Sequence, residues 1–113
     1  MPPPSKLAVA TSSVRRLIKE EASYHKELEQ QKARIKKLEA DMSDENAEFQ
    51  LKQERQAVEE TKNVLPTVRT KIAQALKDLE EQLVCEGSEA PAEEVTKAKE
   101  AIADGKKALQ EIS

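Results

Sequence analysis

The chain has 113 residues, 36% of them charged and 2% aromatic, with two glycines, one cysteine and a net charge of −3. That length suits one small domain, and the composition is too poor in glycine, β-branched and aromatic residues for a β-sandwich or a doubly wound α/β sheet. A general nucleic-acid binder would be strongly basic and rich in stacking aromatics, and a membrane span needs about 20 consecutive apolar residues.

The longest apolar run here is residues 7–10, which is also too short for a signal-peptide core. The lone Cys85 permits no internal disulfide, so the chain reads as a soluble cytosolic protein with no nucleic-acid or membrane partner. Its abundant residues are Ala, Glu, Lys, Leu and Gln, all good helix formers. Disorder is the rival at this charge content, but 19 basic residues nearly cancel 22 acidic ones, so periodicity decides.

Residues 1–5 are proline-rich and read as a loose tail. Helix 1 is expected over about 6–42. Leu7, Val14, Leu28, Ile35 and Met42 fall on steps of seven, interrupted at Glu21, and Ala10, Leu17, Tyr24, Gln31 and Leu38 follow three residues behind. Ile18 widens the stripe. Some 35 residues at about 1.5 Å each span on the order of 50 Å. Glu21 and Gln31 either form a polar layer that fixes register or line an open seam that a partner fills. Tyr24 reads as a core residue with its hydroxyl at the rim, and His25 as a boundary residue.

The stretch 43–46 breaks the pattern, with Ser43 or Asp44 as the cap of a second helix over about 45–85. Its stripe is Leu51, Val58, Leu65, Ile72 and Leu79, joined by Val68 and Ala75 and then, as the stripe drifts, by Leu76 and Leu83. The register passes Pro66 without a phase shift, which predicts one long helix kinked at Pro66 on its outer side. Gly87 suits a left-handed position after the helix end, in a linker over 86–90, and Pro91 suits the first turn of the next helix.

Helix 3, over about 91–112, places Val95, Ala98, Ile102, Gly105, Leu109 and Ile112 on one face. That thin stripe predicts a close approach to the other helices and the least stable element of the fold. Short connections make the architecture all-α: an up-down-up three-helix bundle, spectrin-like, with left-handed coiled-coil packing and a single domain over 1–113.

The chain carries no Gly-rich phosphate loop, no HExxH, no CxxC and no nucleophile elbow. His25 and Cys85 fall near opposite ends of an antiparallel pair, out of hydrogen-bond reach, and Cys85 reads as a small apolar plug at a helix end. No catalytic residue, metal ligand or cofactor is expected, and the protein does not read as an enzyme.

Charge is distributed unevenly. Residues 1–42 carry 9 basic and 6 acidic side chains, whereas residues 43–86 carry 6 and 10. The outward positions of helix 1 hold Arg15, Arg16, Lys19, Lys26, Lys36 and Lys37, with Glu29 the one acid among them. The acids Glu20, Glu27, Glu39 and Asp41 sit at flanking positions, where neighbouring helices can pair with them. Such a stripe is either a solvated face or a docking face for an acidic partner.

Several segments in order have a familiar look. They are the run of residues 12–21, which contains Val14-Arg15-Arg16-Leu17, then Tyr24-His25-Lys26-Glu27, the turn Asp44-Glu45-Asn46-Ala47, and Leu51-Lys52-Gln53-Glu54. With Pro66 and Arg69 in the middle of helix 2, the arrangement over about 7–112 resembles the tubulin-specific chaperone A (tubulin-folding cofactor A) family. The resemblance implies a three-helix bundle that captures β-tubulin folding intermediates after release from the cytosolic chaperonin. It would hold them, without hydrolysing nucleotide, for assembly of the α/β-tubulin heterodimer, and would meet other tubulin-folding cofactors indirectly.

The resemblance further implies a cytoplasmic, cytoskeleton-associated protein, monomeric or homodimeric. It carries over no site residue, so the six basic positions rest on the charge pattern alone. The alternative is a structural coiled-coil interaction module, such as a trafficking adaptor, with a different protein partner.

Overall fold

The computed structural model describes residues 4–43 and 45–110. Three α-helices account for most of them: α1 (Lys6–Ala40), α2 (Ala47–Glu86) and α3 (Ala92–Gln110), with no strand among the described residues. Asp44 and Ile112, singled out above as a cap and a core residue, lie outside the described residues, as does most of the expected tail.

The ends of the helices follow from local chemistry. Helix α1 stops at Ala40, two residues before the heptad pattern does, because Asp41 turns the chain. Its Oδ1 accepts the Ser43 N–H at 3.2 Å and the Ser43 hydroxyl at 2.6 Å. Met42 therefore leaves the stripe and is 46% exposed. Ser43, engaged with Asp41, does not cap α2. The residue just ahead of α2 is Asn46, a favourable type there, whose carbonyl accepts the Gln50 N–H at 2.9 Å. Glu48 in the first turn suits the positive end of the helix dipole.

Helix α2 runs unbroken through Pro66, which is exposed, and the Lys62 carbonyl that proline frees belongs to an exposed residue, where solvent is within reach. At the far end, Gly87 is not left-handed, since no glycine has positive φ. A Cβ at Gly87 would instead lie 2.3 Å from the Leu83 carbonyl oxygen, so the close backbone approach is what calls for glycine. Pro91 precedes α3 by one residue, and its carbonyl accepts the Val95 N–H at 3.2 Å.

The chain packs into two compact units to which α1 and α2 both contribute. The first, built from residues up to 20 and from 68 onward, holds three helices running up, down and up. Ser5 donates to Glu94 and Arg15 pairs with Asp104, both across 89 residues, which sets α3 parallel to α1 in constant register. The core here is apolar. Leu7, Val14, Ile72 and Leu79 are fully buried, each contributing roughly 1.5–3 kcal/mol, beside Val68, Leu76, Ala98 and Ala101.

Gly105 admits α3 closely: a Cβ there would lie 2.6 Å from Leu76 Cδ2. The thin α3 stripe thus makes the close approach its sequence predicts. On the α2 side, Arg69 donates to the Leu109 carbonyl, and Lys106 meets Glu80 at 3.5 Å.

The second unit, residues 21–67, is a helical hairpin without a third helix. Leu51, Val58 and Leu65 are buried, but Leu28, Ile35 and Leu38 are only half-buried. Its core is mixed. Gln31 Oε1 accepts from the buried Thr61 hydroxyl at 3.1 Å, and Glu21 is also buried. At Gln31 the polar layer across the hairpin is thus the reading that holds.

Candidate functional site

The six basic residues lie where their spacing puts them, on the exposed side of α1. They do not form one uniform stripe. Arg16, Lys19, Lys26 and Lys37 follow a single ridge, alongside exposed Ser12, Ser23, Gln30 and Ala33, and no acid interrupts it. Arg15 and Lys36 stand on the adjacent column, seven-residue steps apart and shared with Glu29. Arg15 is spent within the fold through its pair with Asp104 on α3, whereas the other five make no ion pair among the described residues. With side chains 43% and 53% exposed, the Arg15–Asp104 pair adds at most about 1 kcal/mol, but it removes Arg15 from the free charge.

The flanking acids behave less uniformly than their positions imply. Glu39 meets Arg55 across the hairpin at 3.8 Å, and on the other side Arg34 meets Glu54 at 3.0 Å. Glu27 instead accepts from Gln31 on its own helix at 3.5 Å, and Asp41 is held by Ser43. The Ser43 hydroxyl, and then the Ser43 N–H, hold the Asp41 carboxyl below its ordinary value.

No group of three or more His, Cys, Asp or Glu among the described residues is placed to hold a metal ion. His25 is half-buried, as a boundary residue should be. Cys85 is exposed and so is not the apolar plug its position implied, because the helix end at Glu86 leaves no element over it. It borders an open groove of about 570 Å³ between α1 and α2, lined among others by Val9, Ala10, Ala75 and Asp78. None of the described helices is long and apolar enough to cross a membrane.

The stripe reading passed over the apolar side chains that face outward. Phe49, the only phenylalanine, is 63% exposed in the first turn of α2, and Val84 is 86% exposed near its end. Both stand off the seven-residue stripes, which is the signal the sequence offered for them.

Comparison with known proteins places this three-helix chain in a family. Residues 2–102 match the family model for tubulin binding cofactor A. The tubulin-specific chaperone A of Saccharomyces cerevisiae is 34% identical over 107 residues, covering 94% of this chain and 95% of the relative. The crystal structure of tubulin folding cofactor A from Arabidopsis thaliana superposes with a TM-score of 0.76 at 30% identity, covering 89% of this chain and 92% of that one. Tubulin-binding cofactor A from Leishmania major superposes equally well, with a TM-score of 0.76 at 27% identity over 91% and 92% of the two chains. The match runs along nearly the whole chain in both sequence and fold, and this protein belongs to the tubulin binding cofactor A family.

Proposed function

We propose that this chain is a tubulin-folding chaperone of the cytoplasm, associated with the cytoskeleton through its client. It captures β-tubulin folding intermediates released from the cytosolic chaperonin and holds them for assembly into the α/β heterodimer. The observation that carries this reading is the family match along residues 2–102. The absence of any phosphate-binding loop from the sequence supports capture without ATP and without catalysis.

The physical task is modest. A partly folded client exposes apolar surface that aggregates when free, and a rigid helical protein covers some of it reversibly. Reversible handover suits a polar interface of moderate size better than a large apolar one. The ridge of Arg16, Lys19, Lys26 and Lys37, with Lys36 beside it, supplies the charge that steers an acidic client, while Arg15 is taken up by its pair with Asp104 on α3.

Size-exclusion chromatography of the chain with freshly released β-tubulin, with α-tubulin as the control, tests the reading. Co-elution with β-tubulin alone is the expected result. A folded, helical chain that co-elutes with neither overturns it. Reversing Arg16, Lys19 and Lys26 to Glu should weaken capture with helicity unchanged, and unaltered capture would remove the ridge from the account.

A further inference from the structure

We propose that the hairpin of residues 21–67 is an open seat for one amphipathic helix of the client, apolar along one face and acidic along its edges. The proposal rests on the client-capture reading and names the surface that performs it.

The three-helix unit shows what such a groove accepts. There α3 lies between α1 and α2, with Gly105 against Leu76, Asp104 on Arg15 and Lys106 on Glu80. The helical columns that make this seat continue, in steps of seven, into the hairpin. From Val14 the column runs through the buried Glu21 to Leu28 and Ile35, and from Leu76 it runs through Arg69 to Lys62 and Arg55. Leu7 and Val14 on the first column are fully buried, whereas Leu28 and Ile35 are half-open because the hairpin has no third helix.

Charge defines the occupant. Lys32 on α1 and Lys62 on α2 edge the groove on its two sides, both exposed and neither in an ion pair among the described residues. The Arg55–Glu39 pair closes the end nearest the turn. An apolar floor between two cationic rims fits a helix with an apolar stripe and carboxylates on both edges, the helix-in-groove mode of recognition. A second copy of this hairpin docked about a two-fold axis would bring the same cationic rims together, which disfavours it.

The test uses the intact chain and freshly released β-tubulin intermediate. Lys32→Glu combined with Lys62→Glu changes two exposed side chains and should leave the circular dichroism spectrum intact. It should weaken capture at least tenfold, whereas Lys71→Glu, an exposed change outside the hairpin, should leave capture within twofold. A benzophenone side chain in place of Lys32 should cross-link to an acid-flanked helix of the client. Capture by the rim variant within twofold of the unmodified chain overturns the seat while the capture reading stands. If the unmodified chain fails to capture, both fall. A self-cross-link, with a doubled mass by sedimentation equilibrium, would assign the groove to a second copy and so overturn the proposal.

Discussion

Val14 and Ile35 stand on the same seven-residue column of α1, yet the first is fully buried and the second half-open. The side chains have much the same chemistry, and what differs is the company. Val14 belongs to a unit of three helices with an apolar core, Ile35 to a hairpin of two with Gln31 and Thr61 hydrogen-bonded inside it. Two helices cannot enclose a stripe that three can, so one amphipathic pattern yields a sealed core in one region and an accessible face in the other. Apolar burial concentrates in the first region, and the second keeps apolar side chains partly open.

The largest expected effect separates the two regions directly. Ile72→Ala, at a site with no exposure, should cost about 4 kcal/mol in urea unfolding, whereas Ile35→Ala should cost about half as much. Equal losses would break the comparison. Pro66→Ala restores a backbone donor and relieves the clash with the preceding turn. It should stabilise the chain by about 2 kcal/mol after the entropy it returns to the unfolded chain is subtracted. A loss of stability would mean that the helix needs its proline.

A smaller effect probes the seating of α3. Gly105→Ala gains about 1 kcal/mol of helix propensity but drives a methyl group toward Leu76, an overpacking cost of about 2 kcal/mol. The net loss of about 1 kcal/mol should vanish in a Leu76→Val background, and persistence there would locate the strain elsewhere.

The smallest effect lies at the hairpin turn. A carboxyl held below its ordinary value contributes stability above the unfolded pKa and loses it as the pH falls through the folded value. The 41–43 turn should therefore loosen only in acid, beneath the usual carboxylate range. Ser43→Ala should move the Asp41 titration upward in an NMR experiment, and no movement would show that Ser43 is not its cause.

Much of the fold is legible in the heptads. Leu7 and Val14 on α1, and Leu51 through Leu79 on α2, are buried as their spacing requires, and the unshifted register through Pro66 already implied one helix there. The division of the chain into a three-helix unit and a hairpin was written less loudly. Reading back from Leu83 in sevens gives Leu76, Arg69, Lys62 and Arg55, so the flank of α2 turns from apolar to charged as the third helix is left behind. A search for the core stripe alone passes over that flank.

Arg15 could not have been read correctly from α1, because its partner Asp104 is 89 residues away and helical periodicity says nothing of contacts between helices. The thin stripe of α3 pointed to weakness. Yet Ala98 and Ala101 are completely buried, so small residues gain by close approach some of what they lack in area, and on this account the hairpin, rather than α3, is expected to open first.

Amide hydrogen exchange of the chain, alone and bound to freshly released β-tubulin, bears most directly on this division of labour. The account predicts that in the free chain the amides of 21–40 and 47–67 exchange faster than those of 68–86 and 92–110. It also predicts that binding slows exchange mainly in the first set. Protection that appears instead along α3, or uniformly over the chain, would contradict it.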